Sequence, residues 1–322
     1  MSTAHITRRT AVLVAAAALA LTSGACNRSS STSTASGSAG SGSGKTITLA
    51  LSTLNNPFFI DVRDGATEAA KAAGATLNVV DAQNDAAAQA NQLGDAVTKN
   101  PSAVIINPVD SDAAGAAVKP VLNAKVPVIA LDRAVNGADV STSVSSDNVD
   151  GGRQAATALA KAVGETGEIL VLQGTPGTSA SRDRGKGFDA GMAAFPNVKV
   201  VAKQPANFDR TQGLNVTTNL LQSHPNVVAI FAENDEMALG AIQALGAKAG
   251  SQVKVFGFDG TTDGLKAIKD GKLVGTIAQQ PKELGKTAVL MALKVANKES
   301  VDKAVPVPVK TVSSANLAEF LK

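Results

Sequence analysis

Short aliphatic runs in this sequence repeatedly end on the same few polar residue types. Ser52-Thr53-Leu54-Asn55-Asn56-Pro57-Phe58-Phe59 follows Ile47–Leu51, Asn107-Pro108 follows Val104–Ile106, and Asp132-Arg133 follows Val128–Leu131. Glu233-Asn234-Asp235 and Phe258-Asp259-Gly260 repeat the arrangement further along. Asp132, Asp259, Arg133 and Arg184 offer charged acceptors and donors, while Asn56, Asn107, Asn234 and Gln279 offer amides that do both. That mixture suits a neutral ligand rich in hydroxyls, because each hydroxyl donates one hydrogen bond and accepts others, and a planar side chain can grip two neighbours. Phe rings match the C–H face of such a ligand. Taken singly, each polar group reads as a turn or helix cap. Their recurrence at one level of the fold argues for a shared task.

The elements that must position these residues follow from the pattern around them. Runs such as Ile47–Leu51, Leu77–Val80, Val104–Ile106 and Val128–Leu131 each lead into a polar turn and an Ala-rich helical stretch. The pattern resumes with Glu168–Leu172, Val198–Ala202, Val227–Phe231, Val253–Phe256 and Val274–Ile277. Near-continuous apolar strands alternating with helices predict parallel sheets covered on both faces. Asn107 and Asn234 are separated by as many residues as Asp132 and Asp259, which predicts two similar lobes. In open parallel sheets, ligands bind at the carboxyl ends of the strands. Pro57 fits a first helical turn with Asn56 as its cap. Phe58 and Phe59 point about 100° apart on a helix, so at least one should look towards the strand ends.

Composition narrows the chemistry. Of 322 residues, 44% are hydrophobic, which excludes a disordered chain. Lys plus Arg number 30 against 27 for Asp plus Glu, with no basic block, so the chain is a poor candidate for nucleic acid. One Cys forbids an intrachain disulfide, and the two His, His5 and His224, are too few for relay or multi-His metal chemistry. No metal and no cofactor is expected. The nine aromatics are all Phe.

The first 45 residues read as address and tether. Arg8-Arg9, the apolar run Ala11–Leu21 and the small residues before Cys26 predict an export signal over residues 1–25. Ser23-Gly24-Ala25-Cys26 resembles the lipobox of bacterial lipoproteins, departing from it at Ser23, and implies lipidation of Cys26. Residues 26–45, rich in Ser, Thr, Gly and Ala, predict a flexible tether. The expected location is the outer face of the cell membrane, or the periplasmic space of a diderm cell.

Longer motifs carry a family resemblance. Ser-Thr-Leu-Asn-Asn-Pro-Phe-Phe, Ile-Asn-Pro, Thr-Ser-Ala-Ser-Arg-Asp-Arg-Gly, Gln-Pro-Ala-Asn-Phe-Asp-Arg, Asn-Asp-Glu-Met-Ala-Leu-Gly-Ala and Gly-Phe-Asp-Gly resemble the family of periplasmic D-ribose-binding proteins. The resemblance runs from about Thr46 to Val309. It implies an α/β fold of two doubly wound parallel-sheet lobes joined by three hinge crossovers, a monomer that closes around D-ribose and delivers it to an ABC permease with its cytoplasmic ATPase. Residues 46–146 with 280–308 would form the first lobe, and 147–279 with 309–322 the second. The implied ligand set is Ser52, Asn56, Phe58, Phe59, Asn107, Asp132 and Arg133 from the first lobe. The second would add Arg184, Phe208, Asn234, Phe258 and Asp259, with Gln279 at a hinge. Phe58, Phe59, Phe208 and Phe258 would bracket the sugar ring. Hinges would fall near Ser146-Asp147, Gln279-Gln280 and Pro308-Val309.

Three other classes fit less well. An enzyme would need a nucleophile with its base, a metal or a cofactor loop, and none is assembled here. Sugar-responsive repressors share the two-lobed core but carry a helix-turn-helix where this chain has an export signal. Glucose- and galactose-type relatives stack a Trp on the ring and carry a calcium loop; this chain has no Trp, and Asp110-Ser111-Asp112 is an incomplete loop. Allose, another pentose, a sugar-derived signal or a chemoreceptor role remain as alternatives.

Overall fold

The computed structural model describes residues 42–321. The expected signal, Cys26 and all but the last residues of the tether lie outside the described residues. From Thr46 the chain alternates strand and helix: β1 (Thr46–Leu51), α1 (Pro57–Ala73), β2 (Thr76–Asp81), α2 (Ala86–Thr98) and β3 (Ala103–Ile106). Two short helices, α3 (Ala114–Ala117) and α4 (Lys119–Asn123), precede β4 (Val128–Leu131) and β5 (Thr142–Ser146). The alternation continues through α5 (Asn148–Ala162), β6 (Gly167–Gln173), α6 (Ser179–Met192), β7 (Val198–Pro205), α7 (Arg210–Ser223) and β8 (Ala229–Ala232). Then come α8 (Asp235–Leu245), β9 (Lys254–Asp259), α9 (Thr262–Lys269), β10 (Gly275–Ala278), α10 (Pro281–Ala296), β11 (Ala304–Val307) and β12 (Lys310–Ser313).

These strands form two six-stranded sheets of the same winding, β2-β1-β3-β4-β5-β11 and β7-β6-β8-β9-β10-β12. All neighbours in the first are parallel; in the second, β12 pairs antiparallel to β10 at the edge. The chain therefore passes between sheets three times: after β5, after β10 and between β11 and β12. The passages lie side by side. The Asp147 N–H donates to Val307 O at 3.2 Å, and Gln280 Nε2 donates to Pro308 O at 3.0 Å.

Successive side chains of the central strands alternate between two faces, and both faces are buried. Ile47, Leu49, Leu51, Ile105, Ile129 and Leu131 pack with Phe58, Phe59, Val62, Leu284 and Val289 on one face of the first sheet. Ala50, Val104, Ile106, Val128 and Ala130 pack with Leu93, Val118 and Val121 on the other. The second sheet is covered on both faces in the same way, with Phe188 stacked on Phe231 at 4.2 Å between ring centroids. Helices are started by the residues that sequence reasoning would choose. The Asn56 side chain accepts from the Phe58 N–H at the head of α1, Pro57 stands at N1, and Gly74 closes the helix at φ 72°.

Three strands do not stand out in the sequence: β5, β11 and β12. Thr142–Ser146 alternates buried and half-exposed residues, and β11 and β12 are short edge strands with exposed positions. Such strands lack the continuous apolar run that marks a buried parallel strand.

Candidate functional site

The carboxyl ends of the central strands of both sheets face one cavity. It is a narrow cleft lined by Asn56, Phe58, Phe59, Asp132, Arg133, Ala180, Arg184, Phe208, Asn234, Asp259 and Gln279.

On the first-sheet side, Asn107 ties three strand ends together. Its Oδ1 accepts from the Ser52 N–H at 3.2 Å and from Ser52 Oγ at 2.6 Å, while its Nδ2 donates to Leu131 O and to Asp132 Oδ2, both at 3.2 Å. Asp132 adopts φ 63°, an unusual conformation for a non-glycine residue, and turns the chain so that Arg133 follows directly into the cavity wall. Arg133 is anchored by Nη1 to Pro108 O at 2.8 Å. Its guanidinium carbon lies 5.4 Å from the Phe59 ring centroid and 5.6 Å from that of Phe208 in the opposite lobe. Phe58 and Phe59 are both buried and meet edge-on, centroids 5.2 Å apart. The head of α1 points into the gap between the lobes, so two faces of one helical turn are covered at once.

On the second-sheet side, Arg184 projects from α6. Its Nε donates to Asn148 Oδ1 at 2.8 Å and its Nη1 to Glu233 O at 2.6 Å. Asp259, at φ 122°, lies 3.6 Å from Arg184 and accepts from Gln279 Nε2 at 2.7 Å. Asn234 caps α8, accepting from the Met237 N–H, and donates from Nδ2 to Phe208 O at 3.3 Å. Phe208 itself adopts φ 57°. Three residues of the lining thus hold left-handed or strained backbone, a concentration that functional clefts commonly show.

Ser52, Asn107 and Phe258 do not line the cavity. Ser52 and Asn107 are fully buried behind Asp132, and Phe258 is fully buried beneath Arg184, whose guanidinium carbon is 3.8 Å from the ring centroid. Phe258, expected to bracket a sugar ring, carries the Arg184 guanidinium over its face in this structure. Ala180 and Asn148 were not singled out from the sequence. Ala180 could have been found from helical spacing, one turn before Arg184 on the same face; nothing local marks Asn148.

Two Asp and two Arg, all buried, balance in charge. Burial pushes the Asp132 carboxyl above the usual carboxylate range, against the pull of Arg133 and Arg184. Burial likewise raises Asp259 well above that range, opposed by Arg184. Arg133 is drawn down to about 10 by burial, with Asp132 opposing. Among the described residues, Asp132 Oδ1, Arg133 Nε and Gln279 Oε1 are buried without a hydrogen-bond partner. Buried polar atoms are normally partnered, so these two acceptors and one donor are available to hydroxyls of a ligand in the cavity. A quartet whose formal charges cancel, edged by amides and rings, can hold a neutral polyol by charge-assisted hydrogen bonds.

Two segments close the lobes over the cavity. The Ser179 N–H donates to Ser111 Oγ at 3.0 Å, the Ser111 N–H to Gly177 O at 3.1 Å, and the Ala134 N–H to Ser179 Oγ at 2.8 Å. Arg182 reaches Asp112 at 3.3 Å across the same seam.

Comparison with known proteins places this geometry. The periplasmic binding protein domain profile matches residues 47–300. The ribose import binding protein of Salmonella typhimurium is 50% identical over 264 residues, covering 82% of this chain and 89% of the relative. The ribose import binding protein of Bacillus subtilis is 44% identical over 262 residues, covering 81% and 85%. Among solved structures, a periplasmic solute-binding protein of an ABC transporter from Actinobacillus succinogenes, with bound D-allose, superposes with a TM-score of 0.81 at 34% identity, over 85% of this chain and 99% of that one.

Proposed function

The chain belongs to the periplasmic binding protein family, and from that premise we propose that it captures D-ribose between its lobes and hands it to an ABC importer. The observation that carries the reading is the meeting of Asp132 and Arg133 from one lobe with Arg184 and Asp259 from the other around a single small cavity. Each sugar hydroxyl can donate to Asp132, Asp259 or Gln279 and accept from Arg133 or Arg184. Phe58, Phe59 and Phe208 cover the C–H faces. Identity of 44–50% to ribose import binding proteins supports ribose over other monosaccharides.

Magnitudes agree with such a role. Hydrogen bonds to charged groups contribute roughly 1.5–3 kcal/mol each, and micromolar affinity needs only about 8 kcal/mol. A few such bonds therefore suffice after the cost of ordering the lobes. No reaction is proposed, since the charged residues of the cavity all serve as hydrogen-bonding partners.

The finer assignments rest on the same reading. Ser146-Asp147, Gln279-Gln280 and Pro308-Val309 act as hinges between a first lobe of residues 46–146 with 280–308 and a second of residues 147–279 with 309–322. Ser52 and Asn107 shape the Asp132 turn, and the remaining cavity residues touch the sugar. The protein works as a monomer. Lipidation at Cys26, which the sequence alone supports, would hold it at the outer face of the membrane.

Isothermal titration with D-ribose, D-allose, D-xylose, L-arabinose and D-galactose tests the reading. The expected result is tight binding of D-ribose, with D-allose weaker because its extra hydroxymethyl group must enter a small cavity. Tight binding of another of these sugars with no heat from D-ribose would overturn it.

A further inference from the structure

Arg184 must present its remaining N–H groups to the cavity in one orientation, and two hydrogen bonds set that orientation. One is from Nη1 to a backbone carbonyl, Glu233 O. The other, from Nε at 2.8 Å, is accepted by Oδ1 of Asn148, a buried side chain that does not line the cavity. Asn148 is the first residue of α5 and stands two residues beyond Ser146, the last residue of β5 in the other sheet. Its Nδ2 donates back to Ser146 O at 3.3 Å. One amide therefore spans from the first crossover to the guanidinium.

The backbone around it leaves little slack. A Cβ at Gly152 of α5 would overlap Arg184 O, and a Cβ at Gly187 of α6 would overlap Val149 O. The first turns of α5 are thus pressed directly against the turn of α6 that carries Arg184. The other lobe repeats the device. A Cβ at Gly65 of α1 would overlap Lys282 O, and one at Gly285 of α10 would overlap Val62 O. There the helix that follows the second crossover is locked to the helix that carries Phe58 and Phe59.

The geometry points to Asn148 as a positioning residue that fixes the Arg184 guanidinium and ties its orientation to the first crossover. An arginine has five N–H donors in a rigid fork, so holding Nε and one Nη1 hydrogen sets the direction of the others. A group held in its binding orientation before the ligand arrives loses less freedom on binding. Asn148 contributes to sugar affinity in this way without touching the sugar. The inference rests on the D-ribose reading for its ligand.

The variants Asn148→Ala and Asn148→Asp separate positioning from packing. Asp keeps an acceptor for Arg184 Nε but cannot donate to Ser146 O; Ala keeps neither. The Arg184 Nε–H signal in 15N–1H spectra of the ligand-free protein, assigned by its loss in Arg184→Lys, reports the bond directly. N148A is expected to lose that protected signal and to bind D-ribose roughly tenfold or more weakly. N148D is expected to keep the signal and to stay within about threefold of the parent protein. Binding by N148A within about twofold of the parent, or equal weakening in both variants with the signal unchanged, would overturn the assignment. If N148A does not fold, loss of the signal in a folded N148D overturns it equally. Failure of the parent protein to bind D-ribose would sink the ligand reading, while the ligand-free spectra would still decide the role of Asn148.

Discussion

The guanidinium carbon of Arg184 lies 3.8 Å from the centroid of the Phe258 ring, and both side chains are buried. Phe258 is thus a platform under the charge. A cation over an aromatic face in a desolvated site gains about 2 kcal/mol, part of which offsets the cost of burying Arg184. Phe258→Leu keeps an apolar residue in place but removes the ring. D-ribose binding should weaken roughly tenfold. Arg184→Ala, which removes the donor itself, should leave no measurable heat in the same titration while the protein still melts cooperatively. Unchanged affinity in F258L would show that the ring is packing alone.

Glu233 predicts a dependence of stability on pH. Its Oε2 accepts from the Gly174 N–H at 2.7 Å and from Ser181 Oγ, while Oε1 is buried without a partner among the described residues. Burial pushes the carboxyl from 4.5 up to about 7, against those two hydrogen bonds. Between these values the folded chain holds more protons than the unfolded one, so the contribution of Glu233 to stability falls as pH rises through this window and is level above it. Glu233→Gln keeps an acceptor and removes the titration. In urea unfolding, E233Q should gain about 2–3 kcal/mol on the parent protein between pH 4.5 and pH 8. Burial also raises Asp235, to about 6, but that group is present in both proteins and cancels in the comparison. Parallel pH profiles would disprove the prediction.

The seam between Ser111 and Ser179 is made only of contacts between lobes. Ser179 both donates to Ser111 and accepts from Ala134, and neither serine lines the cavity. Each neutral hydrogen bond contributes about 1 kcal/mol. Ser111→Ala and Ser179→Ala should therefore weaken D-ribose binding about three- to tenfold, through faster release, with the melting temperature of the sugar-free protein unchanged. Surface plasmon resonance or calorimetry is the suitable measurement, since a chain without Trp or Tyr offers little intrinsic fluorescence. A fall in sugar-free stability instead would mean that the serines hold one lobe together.

Strand ends were legible because a parallel strand buried on both faces must be apolar along its length, so the first polar residue after it is conspicuous. Asn107, Asp132 and Asp259 can be read off in this way, and Asn234 stands one residue beyond Glu233. Asn56 and Asn234 show that a cap and a cavity residue need not be alternatives: each accepts from its helix through Oδ1 while lying on the cavity wall. Strands β5, β11 and β12 are not marked in the sequence, where only the family resemblance implies the places at which the chain changes lobes. Their residues are half-exposed or polar, and only pairing with a neighbour makes them strands.

What the amino-acid sequence determines by itself is the alternation of strand and helix, the likeness of the two halves and the set of polar and aromatic residues at the strand ends. Those are local properties, carried by apolar period, capping and spacing. Which of those residues face the cavity is decided by tertiary structure. Phe258 and Phe59 are equally buried aromatics beside polar neighbours, yet one backs an arginine and the other lines the wall. The Ser111–Ser179 seam and the Asn148–Arg184 bond are likewise decided there, because each joins residues far apart in the chain. No local pattern can mark such a partner; it is chosen by the packing that brings two distant helices or loops to within hydrogen-bonding distance.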